Sequence, residues 1–377
     1  MKKKLLFVVN VDWFFVSHRI DIARAALREG YEVHIATSIT VHKEFLSEQG
    51  FFVHNIPLHR SKINPFYAVN YFFKLINIFR KIKPNIVHFV TIKPVLIGGL
   101  ALKFVKVSAA VFAISGMGYV FIGNRIRHKI LQKISSYIYN FVLRHKNSIV
   151  ICQNTDDLHL IRTMGNFPLS KFILIKGSGV DLQKFKPSNL PPNEPIIMFP
   201  SRILKDKGVM EFIEAAKKIS LVESTKIPPK FVLVGMLDKG NKASLDLSEI
   251  SELEKSNIVE YWGNKENMEE VLPLATIIVL PSYREGLPKV LIEASACSRP
   301  VITSDVPGCR DAIINKKTGL LVPAKDSHQL ADAILMLLNN PELCKSFGEA
   351  GRIFAEENFS IEHVVSEHLG IYNNLVD

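Results

Sequence analysis

Between Gln49 and Thr155 the chain has no aspartate or glutamate, against 15 lysines and arginines. Random scatter does not leave 107 residues without an acid. The imbalance belongs to one half of the molecule. Residues 1–180 hold 25 basic and 8 acidic side chains, a net of +17, while residues 181–377 hold 22 and 28, a net of −6. Such a field concentrates anionic partners: nucleic acid, anionic lipid or pyrophosphates. Other absences narrow the choice. No RRM, HTH, KH or zinc motif supports nucleic acid. Cys152, Cys297, Cys309 and Cys344 have no CxxC or zinc-finger spacing and read as reduced thiols, mostly in the core. No apolar run approaches the ~18 residues of a membrane span. The N-terminus, MKKKLLFVVNVDWFFVSHR, is basic and then apolar but lacks a small-residue cleavage site; with Asp12 it reads as a first core strand and not as a signal peptide. That strand runs into NVDWFF and not into G-x-G-x-x-G, which weighs against a dinucleotide oxidoreductase.

What is present is alternation. With 377 residues, 47% of them apolar, the chain suffices for two domains with proper cores. KKLLFVVN, EVHIAT, NIVHFV, SAAVFAIS and SIVICQN read as strands, with helices over SHRIDIARAALREG, VHKEFLSEQG, PFYAVNYFFKLINIFRKI and RIRHKILQKISSYIYNFVLR. The pattern breaks at VDLQKFKPSNLPPNEP, where four prolines suggest a linker. It restarts with PIIMFPS, KFVLVG, NIVEYWG, TIIVLPS and PVITSD, and turns mainly helical after Ala324. Alternating apolar strands and helices imply parallel βαβ units. The expected architecture is α/β, with two doubly wound, Rossmann-like domains facing across a cleft. Residues 1–180 form the first domain, 181–195 the linker and 196–358 the second. Residues 359–377 form a last helix packing back towards the first domain. Ligands in such folds bind beyond the carboxyl ends of the strands.

Two clusters fall at such ends. In PSYREGLPKVLIEAS a buried strand gives way to Arg284, Glu285, Gly286, Leu287 and Pro288. Gly286 permits close approach, and Pro288 suits a first helical turn. The helix start is then an anion site suited to a diphosphate. Glu285 lies outside it and Glu293, eight positions later, about two turns inside. The two acids are spaced to hold different parts of one elongated ligand. The plainer alternative is a helix-start acid and a solvated helix face. In FPSRILKDKG, Arg202 and Lys207 follow a strand and precede a helix. They are spaced to clamp a pyrophosphate, or are simply solvated.

These segments carry a resemblance. EGLPKVLIE fits an E-x7-E pattern, and SRILKDKG resembles an S-R-x4-K-G segment. With KGSGVDLQKFKP and KTGLLVPAKD in order around them, the stretch from about Lys176 to Asp326 resembles the donor-binding region of the family 4 retaining glycosyltransferases. The resemblance implies a GT-B fold. It also implies that Arg202 and Lys207 neutralise the donor diphosphate, with Glu285 on the transferred sugar. The Gly286 and Leu287 amides would meet the phosphate, and Glu293 the ribose hydroxyls. No Asp-x-Asp occurs in the chain, which is consistent with transfer that needs no metal or other cofactor.

The first half departs from the family's commonest pattern. NVDWFFVSHR stands where many members have a Gly-Gly turn, and AISGMGYVFIG where many have a histidine. A subset acting on lipid-linked saccharides is similar to the chain at both places. Trp13, His18 and Arg19 are therefore candidate acceptor-binding residues, and His18 reads as an orienting or structural group ahead of the alternative of a catalytic base. Gly116, Met117 and Gly118 are candidates for the donor sugar. INPFYAVNYFFKLINIFRKIK and RIRHKILQKISSYIYNFVLRHK interleave rings with cations, as a bilayer interface requires, although either helix alone reads as a core helix with a basic face. The expectation is an enzyme moving a hexose or N-acetylhexosamine from a UDP-sugar to a polyprenyl-diphosphate-linked saccharide. Its setting is bacterial O-antigen, capsule or similar lipopolysaccharide assembly, on the cytoplasmic face of the inner membrane. A nucleotide-sugar hydrolase or epimerase, and a non-catalytic anionic-membrane binding protein, remain alternatives.

Overall fold

A computed structural model describes residues 2–58, 65–117, 126–192, 194–221, 227–238 and 240–376. The chain divides into two compact units, Met1–Ser178 together with Ile361–Asp377, and Gly179–Ser360. The first unit contains strands β1 (Lys4–Val11), β2 (Glu32–Ser38), β3 (Phe52–Asn55), β4 (Ile86–Val90), β5 (Ala109–Ile114), β6 (Ser148–Cys152) and β7 (Phe172–Leu174). They pair in parallel in the order β3-β2-β1-β4-β5-β6-β7. The second contains β8 (Ile196–Pro200), β9 (Lys230–Val234), β10 (Glu260–Gly263), β11 (Ile277–Leu280), β12 (Val301–Ser304) and β13 (Gly319–Val322). Their order is β10-β9-β8-β11-β12-β13, again parallel.

The central strands are apolar on both faces because helices cover both. β4, β5, β11 and β12 are buried at every residue. Three short strands were not read from the sequence. β3, β7 and β13 have three or four residues each, too few to show a period. The helix expected over Ser17–Gly30 is two helices, Asp12–His18 and Ile20–Arg28, broken at Arg19 with φ −136° and ψ −8°.

Residues 181–195, expected as a linker, are fixed to the second unit. Buried Arg299 donates to the carbonyls of Ser188 and Asn189, and also to Ala275 and Cys297. Arg352 donates to the carbonyls of Phe185 and Ala296 at 2.7 and 2.8 Å. The last helix, Ile361–Val376, packs on Ile20–Arg28 within the first unit. Its Tyr372 hydroxyl lies 2.6 Å from His88 Nδ1 on β4, and Tyr31 donates to Asn373 at 3.0 Å.

In each sheet the chain reverses its direction of winding once, between β1 and β4 and between β8 and β11. In doubly wound sheets ligands bind beyond the carboxyl ends of the strands at such reversals.

Candidate active site

Four loops leave the carboxyl ends of β8, β9, β11 and β12, and glycines let three pairs of them touch. A Cβ on Gly208 would lie 2.1 Å from the Pro281 carbonyl oxygen, and one on Gly235 2.0 Å from that of Ser201. One on Gly308 would meet the carbonyls of Glu285 and Gly286, each at 2.5 Å. All three have positive φ, which glycine adopts without penalty. Backbone bonds close the same seams, from Tyr283 to Asp206 and from Glu285 to Pro307.

The candidate side chains sit on this frame. Lys207 and Glu285, 78 positions apart, form an ion pair. The same carboxylate oxygen accepts from Ser282 Oγ at 2.7 Å. Arg202 pairs with Asp238, beyond β9, at 2.9 Å. Each cation of the expected clamp thus holds a carboxylate. Both pairs are largely shielded from solvent, where fixed charges interact more strongly than in water. Cys309 lies nearby but is no nucleophile: burial pushes its thiol up to about 12.

The helix after the elbow runs Lys289–Ala296, with Pro288 as its N-cap residue and not in its first turn. It starts later than the sequence suggested, so Glu293 is about one turn inside and not two. Glu293 is buried, which removes the solvated-face alternative, and its carboxylate pairs with Lys289 at 3.1 Å. Leu287 is buried in the second unit's core, which leaves its backbone as the part able to meet a ligand.

In the first unit, Asp12 ends β1 and accepts from Trp13 N, from Thr40 N and Oγ, and from Val41 N and His42 N. Burial pushes this carboxyl up, but the Thr40 hydroxyl and the amides outweigh it and hold the group below its ordinary range. Asp12 thereby anchors the start of the helix bearing Trp13 and His18. His18 stacks on Phe14, centroids 4.1 Å apart, and Phe14 meets Trp13 edge-on. One expectation is corrected here. Arg19 is only 2% exposed, because the break between the two helices turns it inward; it donates to the His18 carbonyl at 2.8 Å and reaches Ser115 Oγ at 3.5 Å. Its guanidinium, expected on the acceptor, therefore faces the interior of the first unit beside the loop that follows β5. Met117 is wholly buried in the core, so only its backbone is left for a sugar. Gly116 has φ +99°. Gly118 lies outside the described residues. Among the described residues no group of three or more His, Cys, Asp or Glu side chains could hold a metal ion.

Two family models account for most of the chain. "Glycosyl transferases group 1" matches residues 181–354, and "Glycosyl transferase 4-like" matches residues 4–154. The chain belongs to the family 4 glycosyltransferases. This glycosyltransferase is 28% identical over 339 residues to the N,N'-diacetylbacillosaminyl-diphospho-undecaprenol alpha-1,3-N-acetylgalactosaminyltransferase of Campylobacter jejuni, covering 86% of each chain. It is 24% identical over 309 residues to the UDP-Gal:alpha-D-GlcNAc-diphosphoundecaprenol alpha-1,3-galactosyltransferase of Escherichia coli, covering 79% of this chain and 76% of that one. Its fold is similar to that of the sucrose-phosphate synthase of Thermosynechococcus elongatus, with TM-score 0.80, 20% identity and 99% of both chains covered. The glycosyltransferase has the GT-B fold, built from two Rossmann-like parallel-sheet domains.

Sequence reasoning missed three members of the glycosyltransferase site. Asp238 follows an unremarkable strand, and Ser282 and Lys289 stand beside residues that drew the attention. The i, i+4 spacing of Lys289 and Glu293 on a helix was the one available signal.

Proposed function

We propose that the enzyme transfers a hexose or N-acetylhexosamine from a UDP-sugar to a polyprenyl-diphosphate-linked saccharide, with retention of configuration and without a metal ion. The setting is bacterial surface polysaccharide synthesis at the cytoplasmic face of the inner membrane. The supporting observation is the Lys207–Glu285 pair beside Arg202, at the loops where the second sheet reverses. The activities named for the Campylobacter jejuni and Escherichia coli relatives support the acceptor class, and that of the Escherichia coli relative supports the nucleotide.

In this reading the carboxylates of Asp238 and Glu285 keep the two cations in place until a donor arrives. The donor diphosphate then takes over Arg202 and Lys207, and Glu285 turns to the sugar hydroxyls. Glu293 accepts from the ribose hydroxyls, and the Gly286 and Leu287 amides donate to phosphate. The bond from the anomeric carbon to the diphosphate oxygen breaks, and its electron pair leaves with the nucleotide. Fixed cations favour that step most, because charge grows there. The acceptor hydroxyl attacks from the same face. Its proton passes to a departing phosphate oxygen, so no protein base is required. Trp13 and His18 are assigned to the acceptor, and Gly116 with the Met117 backbone to the donor sugar.

The test is a mass-spectrometric panel of UDP-, GDP- and dTDP-sugars, with and without lipid-linked saccharide extract. Transfer that requires the extract, retains the anomeric configuration by NMR and continues in EDTA is expected. Free sugar or epimer formed equally without extract would overturn the proposal.

A further inference from the structure

The helix Asp12–His18 has only seven residues, and a buried charged side chain stands at each end of it. Asp12 opens the helix and holds the amides of Trp13, Thr40, Val41 and His42. Arg19 closes it. The Arg19 amide donates to the Phe15 carbonyl, and its Nη1 donates to the His18 carbonyl, both at 2.8 Å. An anion at the start and a cation at the end both suit the dipole of this helix. Between them Trp13, Phe14 and His18 form a half-buried row of rings, while Phe15 turns into the core.

The arginine is nevertheless destabilising where it stands. Burial pushes its guanidinium down to about 10, so it is still a cation at neutral pH. Among the described residues no carboxylate pairs with it. Its charge falls instead on His88, His368 and Tyr372, all buried, and its Nε has no partner. It also stands at the start of the next helix, Ile20–Arg28, where the dipole disfavours a cation. A buried charge without a counter-ion costs stability, and an apolar side chain of similar volume is often neutral or better. What the guanidinium does, and an apolar chain does not, is bridge. While Nη1 holds the His18 carbonyl, Nη2 reaches Ser115 Oγ at 3.5 Å, 96 positions along the chain. Ser115 opens the loop that carries Gly116 and Met117.

We propose that Arg19 is a positioning residue, whose fork fixes the end of the helix bearing Trp13 and His18 against the loop after β5. It thereby sets the spacing between the acceptor contacts and the donor-sugar contacts, although its buried side chain meets neither substrate. The purpose rests on the reading that assigns Trp13 and His18 to the acceptor and Gly116 with the Met117 backbone to the donor sugar; the clamp itself does not. Its signature is a stability that does not fall, and a site that loosens, when the arginine is removed.

The experiment compares Arg19→Met, Arg19→Lys and Ser115→Ala in the full chain by thermal melts, steady-state kinetics and tryptophan quenching. Arg19→Met should keep or raise the melting temperature, while the acceptor KM rises about tenfold and the donor KM stays within about twofold. Arg19→Lys keeps the charge without the fork, so it should show the same rise in acceptor KM and a lower melting temperature. Ser115→Ala, which leaves the arginine in place, should raise the acceptor KM about threefold at an unchanged melting temperature. The chain has two tryptophans, so Trp13 is read alone in a Trp262→Phe background. Acrylamide should quench Trp13 more readily once Arg19 is methionine. That measurement needs no substrate: the quenching difference in a protein without transfer would sink the catalytic reading and support the clamp. A lower melting temperature for Arg19→Met would make the arginine a stabilising group and overturn the proposal. An unchanged acceptor KM or unchanged quenching in that variant would overturn it too.

Discussion

Gly208 lies between Lys207 and the helix Val209–Ser220 in a left-handed conformation, φ +81° and ψ 24°. Gly208→Ala has two separable effects. The first is backbone strain of about 1–2 kcal/mol, the ordinary penalty for a side chain in that region. The second is contact: the new Cβ would lie 2.1 Å from the Pro281 carbonyl oxygen, more than ~1 Å inside a normal separation near ~3.5 Å. Relief requires the β8 and β11 loops to part, and those loops carry Lys207 and Glu285. A displacement of ~1 Å in a reacting constellation is enough for about a hundredfold loss of rate. Gly240→Ala is the control. It has φ +93° and nothing within 4 Å of the added Cβ, so it carries the strain without the contact. Thermal melts should show both variants folded, and initial transfer rates should be compared with the donor that the panel of nucleotide-sugars selects. Gly240→Ala should stay within about twofold of wild type and Gly208→Ala fall about a hundredfold. Equal rates would refute the idea that this close approach sets the geometry of the Lys207–Glu285 pair.

Arg202→Ala should lower kcat by about a hundredfold or more, while Asp238→Asn should keep kcat and lower the donor KM by releasing Arg202; steady-state kinetics separates the two. Glu293→Gln should raise the donor KM about tenfold with little change in kcat, as isothermal titration with the free nucleotide would confirm. Arg299→Ala should destabilise the second unit by about 4 kcal/mol, because the Ser188, Asn189 and Ala275 carbonyls lose their donor; a urea midpoint unchanged from wild type would contradict this. Burial, and then the Arg19 charge, hold His368 down to about 3. The unfolded chain therefore binds the extra proton below ~6.5. The stability that neutral His368 contributes is complete above that pH and is lost as the pH falls towards 3, at about 1.4 kcal/mol per pH unit. A urea midpoint for the first unit that stays constant from about pH 7 to about pH 5 would refute it.

The alternation of apolar runs was enough to read two doubly wound sheets, because strands buried on both faces announce themselves by composition. β3, β7 and β13 escaped because three or four residues at a sheet's flank show no period. In the candidate site, the placement of Arg202, Lys207, Glu285 and Glu293 was legible because each stands at a strand end or on the first turns of a helix. Their partners were less so. Asp238 and Ser282 are defined by which loops the sheet order brings together, and that order is not written locally. The inward turn of Arg19 was not legible for a related reason. A residue type suggests a ligand, but the break between two helices decides which way the side chain points.

The helix Ile361–Val376 belongs with a sheet whose last strand ends at Leu174. Topologically, the second unit is an insertion within the first. During synthesis the first unit must therefore wait, with β1 to β7 already made, until the helix Ile361–Val376 emerges to supply Tyr372 to His88. At ~5–20 residues per second that interval is on the order of ten seconds or more, during which the face meant for this helix is open. The second unit, being continuous from Gly179 to Ser360, has no such delay and can close first. The chain thus reverses the usual order in which the earlier-made domain is finished before the later one, and a truncation within Ile361–Val376 would damage the domain that is made first.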